Sequence, residues 1–256
     1  MGYLGKRQTK QAQAESLSHP QSHQSHRPAQ PADVQETSSY SAENLPMRYL
    51  VFALGVIVNS FGIALITKGA LGTSPISSLP YVLCLRFTAF SFGATTFVVN
   101  LVFIAIQAAL LRRDFQPVQL LQVLATVVFS WFIDLSTAAL GFFEADALPV
   151  QLVCVALGCV VLAFGICVEI APNVLVVPGE GAVRAIAAVS GARFGTVKTC
   201  FDLSLVAIAL VLSLVFFGGI RGLGLGTVIS AVAVGKVVNL FNTHLAFLER
   251  IRRLAR

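Results

Sequence analysis

Apolar and polar positions fall along this chain in blocks rather than in a short alternation. Beyond Pro46, long apolar runs occupy residues 49–67, 94–112, 119–140, 149–170, 197–217 and 222–243, each 19 to 22 residues long. At about 1.5 Å of rise per residue, each is long enough to cross a hydrocarbon core about 30 Å thick as a helix. Two further runs are shorter and punctuated. Residues 73–90 open on Thr73-Ser74-Pro75 and carry Pro80 and Arg86, and residues 176–192 open with Val177-Pro178-Gly179-Glu180 and carry Arg184. The pattern predicts an all-α integral membrane protein of six spans plus two short broken or re-entrant elements, with eight full spans as the alternative.

A repeat underlies the blocks. Gly62 and Pro75 return as Gly165 and Pro178, 103 positions on; Phe92-Gly93 and Asn100 return as Phe194-Gly195 and Asp202, 102 on; Thr126 returns as Thr227, 101 on. Each landmark falls in the same kind of segment, which points to a duplicated unit of span, short element, span, span. Repeat one covers about 47–143 and repeat two about 148–244. With three spans per unit the second copy inserts upside down, as in transporters whose sites lie at the interface of inverted repeats.

Composition excludes a soluble enzyme: 56% of the 256 residues are hydrophobic and only 12% are charged, too few to coat a globule. The net charge of +6 lies wholly beyond residue 46, where fourteen basic residues, eleven of them Arg, face eight acidic ones. Such an excess marks cytoplasmic loops rather than a nucleic-acid surface. Six spans place Arg112, Arg113, Arg184, Arg193 and the terminal Arg250, Arg252, Arg253 and Arg256 on the cytoplasmic side, leaving Lys68, Arg86 and Arg221 as exceptions. Both termini are cytoplasmic in either arrangement. Residues 1–46 are rich in Gln, Ser, His and Pro and read as a disordered cytoplasmic tail. Its His19, His23 and His26 lack metal-ligand partners, and Met47 is a second candidate start. Residues 245–256 form a basic amphipathic tail suited to an anionic leaflet. The five cysteines lie in apolar stretches without a CxxC pair and read as buried hydrophobes.

Lys68-Gly-Ala-Leu-Gly-Thr-Ser-Pro75, Val177-Pro-Gly-Glu-Gly181, Phe194-Gly-Thr-Val-Lys198 followed by Asp202, and Gly222-Leu-Gly-Leu-Gly-Thr227 resemble the YczE/YitT-like group of bacterial membrane proteins. The resemblance covers nearly all of 47–256. It implies a multi-pass protein of the bacterial cytoplasmic membrane and no particular activity. Where that group's second short element has Asp-Gly after its proline, this chain has Glu180-Gly181.

Charged and amide side chains at membrane depth are costly and need partners or water. Asp134 lies inside the third long run, Lys198 and Asp202 share a helix face at i,i+4, and Lys236 and Asn239 share one at i,i+3. A central polar site would gather Asp134, Asp202 and Asn100, with Lys198 or Lys236 balancing charge. A Lys198–Asp202 pair that only fixes packing is the plainer reading. Glu169 closes its run and reads as reaching the headgroups. At the short elements, Thr73, Ser74 and Pro178-Gly179-Glu180 would sit at helix N-termini, whose unpaired N–H groups favour an anion or a carbonyl. Gly222, Gly224 and Gly226 lack the strand and the Lys of a phosphate loop and read as close helix packing. His244, the one histidine beyond the tail, has no carboxylate beside it, and no metal-ligand spacing occurs.

The expectation is therefore a non-enzymatic small-solute permease, without cofactor or metal, coupled through protonation of Asp134 or Asp202. A non-transporting membrane partner is the second reading and a passive channel the third. The expected partners are the lipid bilayer, a small solute with a proton, and a second copy of the chain, with nucleic acid excluded.

Overall fold

The computed structural model describes residues 45–112 and 117–244, so the expectations for the 1–44 part of the tail, for Arg113 and for 245–256 lie outside the described residues. Helix α1 spans Leu45–Lys68, α2 Pro75–Arg86, α3 Phe92–Leu111, α4 Leu121–Ala139 after a 3-10 turn at Pro117–Leu120, α5 Leu148–Ile170, α6 Pro178–Ser190, α7 Phe194–Phe217 and α8 Leu225–His244. Six of these, all but α2 and α6, are long and apolar enough to cross a membrane. The protein is an all-helical, multi-pass membrane protein. Helix α1 begins before the expected 47, because Pro46 is tolerated in a first turn, where its missing N–H has no helical partner.

Local chemistry sets the boundaries. Pro75 and Pro178 occupy the first turns of α2 and α6, and the residues before them, Ser74 (ψ 152°) and Val177 (ψ 148°), are extended, as a following proline demands. Ser91 caps α3 by accepting from the Ala94 N–H at 3.0 Å. Gly191 and Gly218, both at φ 67°, end α6 and α7 in the left-handed conformation that glycine adopts without a Cβ clash.

The most extensive helix pair is α1 with α5. Between apolar helices in lipid, association rests on close van der Waals packing through small residues, and four glycines provide it. A Cβ on Gly55 would enter the backbone of Glu169, one on Gly62 that of Leu162, one on Gly165 that of Asn59, and one on Gly158 would strike Ile66. Ile63, Ile66, Val155, Cys159 and Leu162 complete the seam. At one end the Arg48 guanidinium, buried at 2% exposure, donates to the Pro172 carbonyl (2.8 and 3.0 Å) and to the Asn173 carbonyl (3.1 Å). At the other, Gly69 packs on Gln151 and Val155.

Low numbers in α1 meet high numbers in α5, so the two helices are antiparallel. That requires an even number of crossings between them: α3 and α4 cross and α2 turns back. With 12 and 13 residues, α2 and α6 reach only about 18–20 Å, short of a bilayer core. The segment that follows α1 also touches the start of α8, where the Gly226 N–H donates to the Leu71 carbonyl at 2.7 Å. Helices α1, α4 and α7 therefore start at one membrane face, the first face, and α3, α5 and α8 at the second. Around the α1–α5 pair, α4 packs on α1 and α8 on α5, α3 packs on α6 and α7 on α2. Cys154, Cys159 and Cys167 are buried, Cys200 is exposed, and the Cys167 thiol donates to the Val238 carbonyl at 3.7 Å.

Two outcomes follow from this crossing. Gly62→Val should lower stability by about 1–3 kcal/mol through overpacking, read as a fall in the thermal midpoint in detergent; an unchanged midpoint would contradict the close approach. In a cysteine-free background, single cysteines at Arg112 and Arg193 should react with an impermeant thiol reagent from one side of the membrane and a cysteine at Ala145 from the other. Labelling of Arg193→Cys from the same side as Ala145→Cys would mean that α6 crosses.

Candidate functional site

The first turns of the two short helices touch. Gly179, in the first turn of α6, stands so close to Ile76, in the first turn of α2, that a Cβ there would collide with the isoleucine Cδ1. In each first turn one N–H is used locally: Ser77 donates to the Ser74 carbonyl at 3.0 Å and Gly181 to the Val177 carbonyl at 2.9 Å. The prolines contribute no N–H, which leaves those of Ile76, Gly179 and Glu180 without an intrahelical acceptor. Two positive dipole ends thus converge inside the helix bundle.

Small hydroxyls line the α2 side. Thr73, Ser74, Ser77 and Ser78 are all buried. The Ser74 hydroxyl donates to Ser77 Oγ at 2.9 Å, the Thr73 N–H to Thr227 Oγ1 at 3.2 Å, and the Ser230 hydroxyl to the Thr73 carbonyl at 3.3 Å. On the α6 side Gln107 of α3 donates to the Pro178 carbonyl at 3.0 Å and to Gln122 Oε1 of α4 at 3.2 Å.

The α6 end also carries charge. Glu180 lies within electrostatic reach of Lys198, Arg184 and Asp202. Lys198 and Asp202 form an ion pair of 2.9 Å along α7, each about a quarter to a third exposed. Glu169 of α5 is 2% exposed and accepts a hydrogen bond of 2.7 Å from Asn59 Nδ2 of α1; it also lies within electrostatic reach of Glu180. The free N–H groups at the half-helix ends can bind a carboxylate, phosphate or carbonyl oxygen.

Of the residues expected from sequence, Glu180, Lys198 and Asp202 come together here, and Thr73 and Ser74 sit at the facing half-helix. Asn100 is buried in α3 and makes no hydrogen bond among the described residues. Asp134 lies elsewhere: its carboxylate accepts from the Gly93 N–H at 2.7 Å and from the Ser91 hydroxyl at 2.5 Å, holding the N-terminus of α3 against α4. Lys236 and Asn239 lie on the exposed surface of α8. Sequence reasoning missed Asn59, read Glu169 as reaching the headgroups, and missed Gln107. The available signal for the first two was spacing: Asn59 lies three before Gly62 and Glu169 four after Gly165, on the faces that those glycines mark for close contact. Among the described residues no group of His, Cys, Asp and Glu is arranged to hold a metal ion.

Fold and site define a six-span membrane protein with two half-helices meeting in its interior. The chain belongs to the family of unknown function DUF6198, whose model matches residues 46–243. No curated protein matches its sequence and no solved structure matches it.

Asn59→Leu should strand the buried carboxylate and cost about 1–3 kcal/mol, and adding Glu169→Leu should recover most of that loss. Thermal unfolding in detergent reads both, and a double variant no more stable than the single one would contradict the pairing.

Proposed function

We propose that the protein is a small-solute permease of the secondary-transporter type, built from two inverted three-span repeats and lying in the bacterial cytoplasmic membrane with both termini inside. The observation that carries this reading is the meeting of two half-helix N-termini in the bundle beside a buried carboxylate. Broken helices at a repeat interface are a recurring way to expose backbone groups to a solute at membrane depth.

The inverted repeat is supported by the contacts themselves. Adding or subtracting 103 turns the contact of Gly55 with Glu169 into that of Gly158 with Ile66, and the contact of Gly62 with Leu162 into that of Gly165 with Asn59. Ile76 meets Gly179, its own counterpart at 103. The packing of α1 on α4, α3 on α6 and α2 on α3 likewise becomes that of α5 on α8, α7 on α2 and α6 on α7. The arginine distribution supports the orientation. Kinship with the YczE/YitT-like group belongs to the same proposal and rests on the motifs from Lys68 to Pro75 and from Val177 to Gly181.

In this reading the solute presents an anionic or carbonyl oxygen to the N–H groups of Ile76, Gly179 and Glu180. The proton is carried by Glu169, with Glu180 as the second carboxylate. Asp134 is already engaged by Ser91 and Gly93, and Asp202 by Lys198. No catalytic role, cofactor or metal enters the proposal.

The second reading, a non-transporting membrane partner, draws on the packed interior. An open cleft of about 150 Å³ between α1 and α4 is apolar, lined by Tyr49, Phe52, Leu121, Leu124 and Leu175. Proteoliposomes with an imposed pH gradient, screened against a panel of small carboxylates, phosphates and carbonyl compounds, separate the readings. A permease accumulates at least one solute above equilibrium, a channel only equilibrates it, and a partner protein does neither. Glu169→Gln should abolish accumulation while leaving exchange of the solute, whereas Asp134→Asn should retain both. Full accumulation by Glu169→Gln would remove the proton from that residue.

A further inference from the structure

The two halves are not in the same conformation. In the first, α3 and α4 are closed on each other at the second face: Gly93 packs against the Ser130 carbonyl and the Asp134 carboxylate that clamps it. The counterparts in the second half are Gly195 on α7 and Ala231 and Gly235 on α8. Nothing lies within 4 Å of where a Cβ would stand on Gly195 or Gly235. Helices α7 and α8 make only marginal contact, and both glycines and Ala231 are exposed. Gly235 stands where Asp134 stands in the first half and Arg193 where Ser91 stands, so no carboxylate clamp is formed there.

The segments that lead into the half-helices differ in the same sense. Before α2, Leu71–Thr73 is docked on α8: the Gly226 N–H donates to the Leu71 carbonyl, the Thr73 N–H to Thr227 Oγ1 and the Ser230 hydroxyl to the Thr73 carbonyl. Before α6, the counterpart is 174–176, and its docking surface would be α4 around Thr126. There an apolar cleft lies between Leu175 and Leu121, Leu124 and Ala125, while Thr126, on the adjoining face of α4, is buried and is not part of its lining. Among the described residues the Thr126 hydroxyl, at 1% exposure, has no hydrogen-bond partner, and neither has that of Ser130 on the same face. Leaving a buried hydroxyl unpaired is costly, so an arrangement that gives these groups a partner is favoured at those two positions.

The asymmetries share one geometry. The closed α3–α4 junction and the docked Leu71–Thr73 segment both lie at the second face; the open α7–α8 junction and the apolar cleft both lie at the first. We infer that the protein alternates between this state, open at the first face, and a second state in which the two halves exchange conformations. In the second state the Val176 N–H donates to Thr126 Oγ1, residues 174–176 fill the cleft, and α7 closes on α8 at Gly195. Thr73 leaves Thr227, α3 parts from α4, and Asn100 and Ser130 meet water at the second face. The glycine at 195 is then required for the closed junction, as Gly93 is now, although it contacts nothing here. This inference rests on the inverted-repeat part of the proposed function and gives the permease its two access states.

Pulsed electron-paramagnetic-resonance distances test it in liposomes holding the full chain, with spin labels on cysteines in a cysteine-free background. One pair, Leu203 with Val232, reports α7–α8, and the other, Val102 with Val127, reports α3–α4; all four side chains are exposed. Each pair should give two distances whose populations move in opposite directions. Gly195→Leu meets no neighbour in the present state and should fold normally while removing the short α7–α8 distance. Thr126→Val should deplete the second state and Thr227→Val enrich it, each by several-fold. A single distance per pair in the unmodified protein, untouched by Gly195→Leu, would overturn the inference, and so would threonine variants that shift the populations in the same direction. Exchange of distances without solute accumulation would uphold the two states and sink the permease; accumulation with fixed distances would do the reverse.

Discussion

Everything in this molecule hangs on how closely α1 and α5 approach. Lipid supplies no hydrophobic drive for one apolar helix to seek another, so the pair must be held by dispersion contacts that small residues allow. Gly55, Gly62, Gly158 and Gly165 let each helix press into the backbone of the other. The crossing is antiparallel, so an even number of helices cross between the pair, and α2 is the one too short to do so. The crossing also brings the Glu169 carboxylate across to Asn59. Where α1 and α5 are fixed, α4 and α8 have one helix each to lean on, and the half-helices fill the space that remains.

The interior that results is polar in an ordered way. Hydroxyls and amides satisfy one another around the α2 entrance, through Thr67, Thr73, Thr227 and Ser230. Of the two half-helices, only α6 carries charge at its N-terminus, where Glu180 lies within electrostatic reach of Lys198, Arg184 and Asp202. A half-helix with buried hydroxyls at its N-terminus and a half-helix with one carboxylate, Glu180, at its N-terminus give a solute two chemically different neighbours. Among the described residues, the buried hydroxyls of Thr126 and Ser130 find no hydrogen-bond partner and break the order.

Much of the fold was legible because proline and glycine act on the backbone directly. Pro75 and Pro178 marked the first turns of the short helices, and the return of Gly62 at Gly165 marked the crossing. The site was legible only in part. Lys198 and Asp202, four apart on one helix, announced their pairing. Asp134 looked like a lone carboxylate in a span, because its partners, a backbone N–H at Gly93 and a hydroxyl at Ser91, lie more than forty positions away and one has no side chain to read. Glu169 looked like a residue at a span's edge; the crossing carries it inward to an asparagine 110 positions distant. Lys236 and Asn239 shared a helix face as expected, but that face is the exposed one. Local spacing fixes which residues share a face, and only tertiary packing fixes what that face meets.

The two half-helices meet, each at the residue that corresponds to the other. A double variant, Ile76→Cys with Gly179→Cys in an otherwise cysteine-free chain, tests this directly, since a disulfide forms only when the Cβ atoms approach to about 3.5–4.5 Å. Mild oxidation in membranes should join the two positions within one chain, seen by mass spectrometry as a single linked peptide pair, with no link for Ile76→Cys paired with Gly195→Cys. Failure of the first pair to close in a folded, membrane-inserted protein would contradict the account.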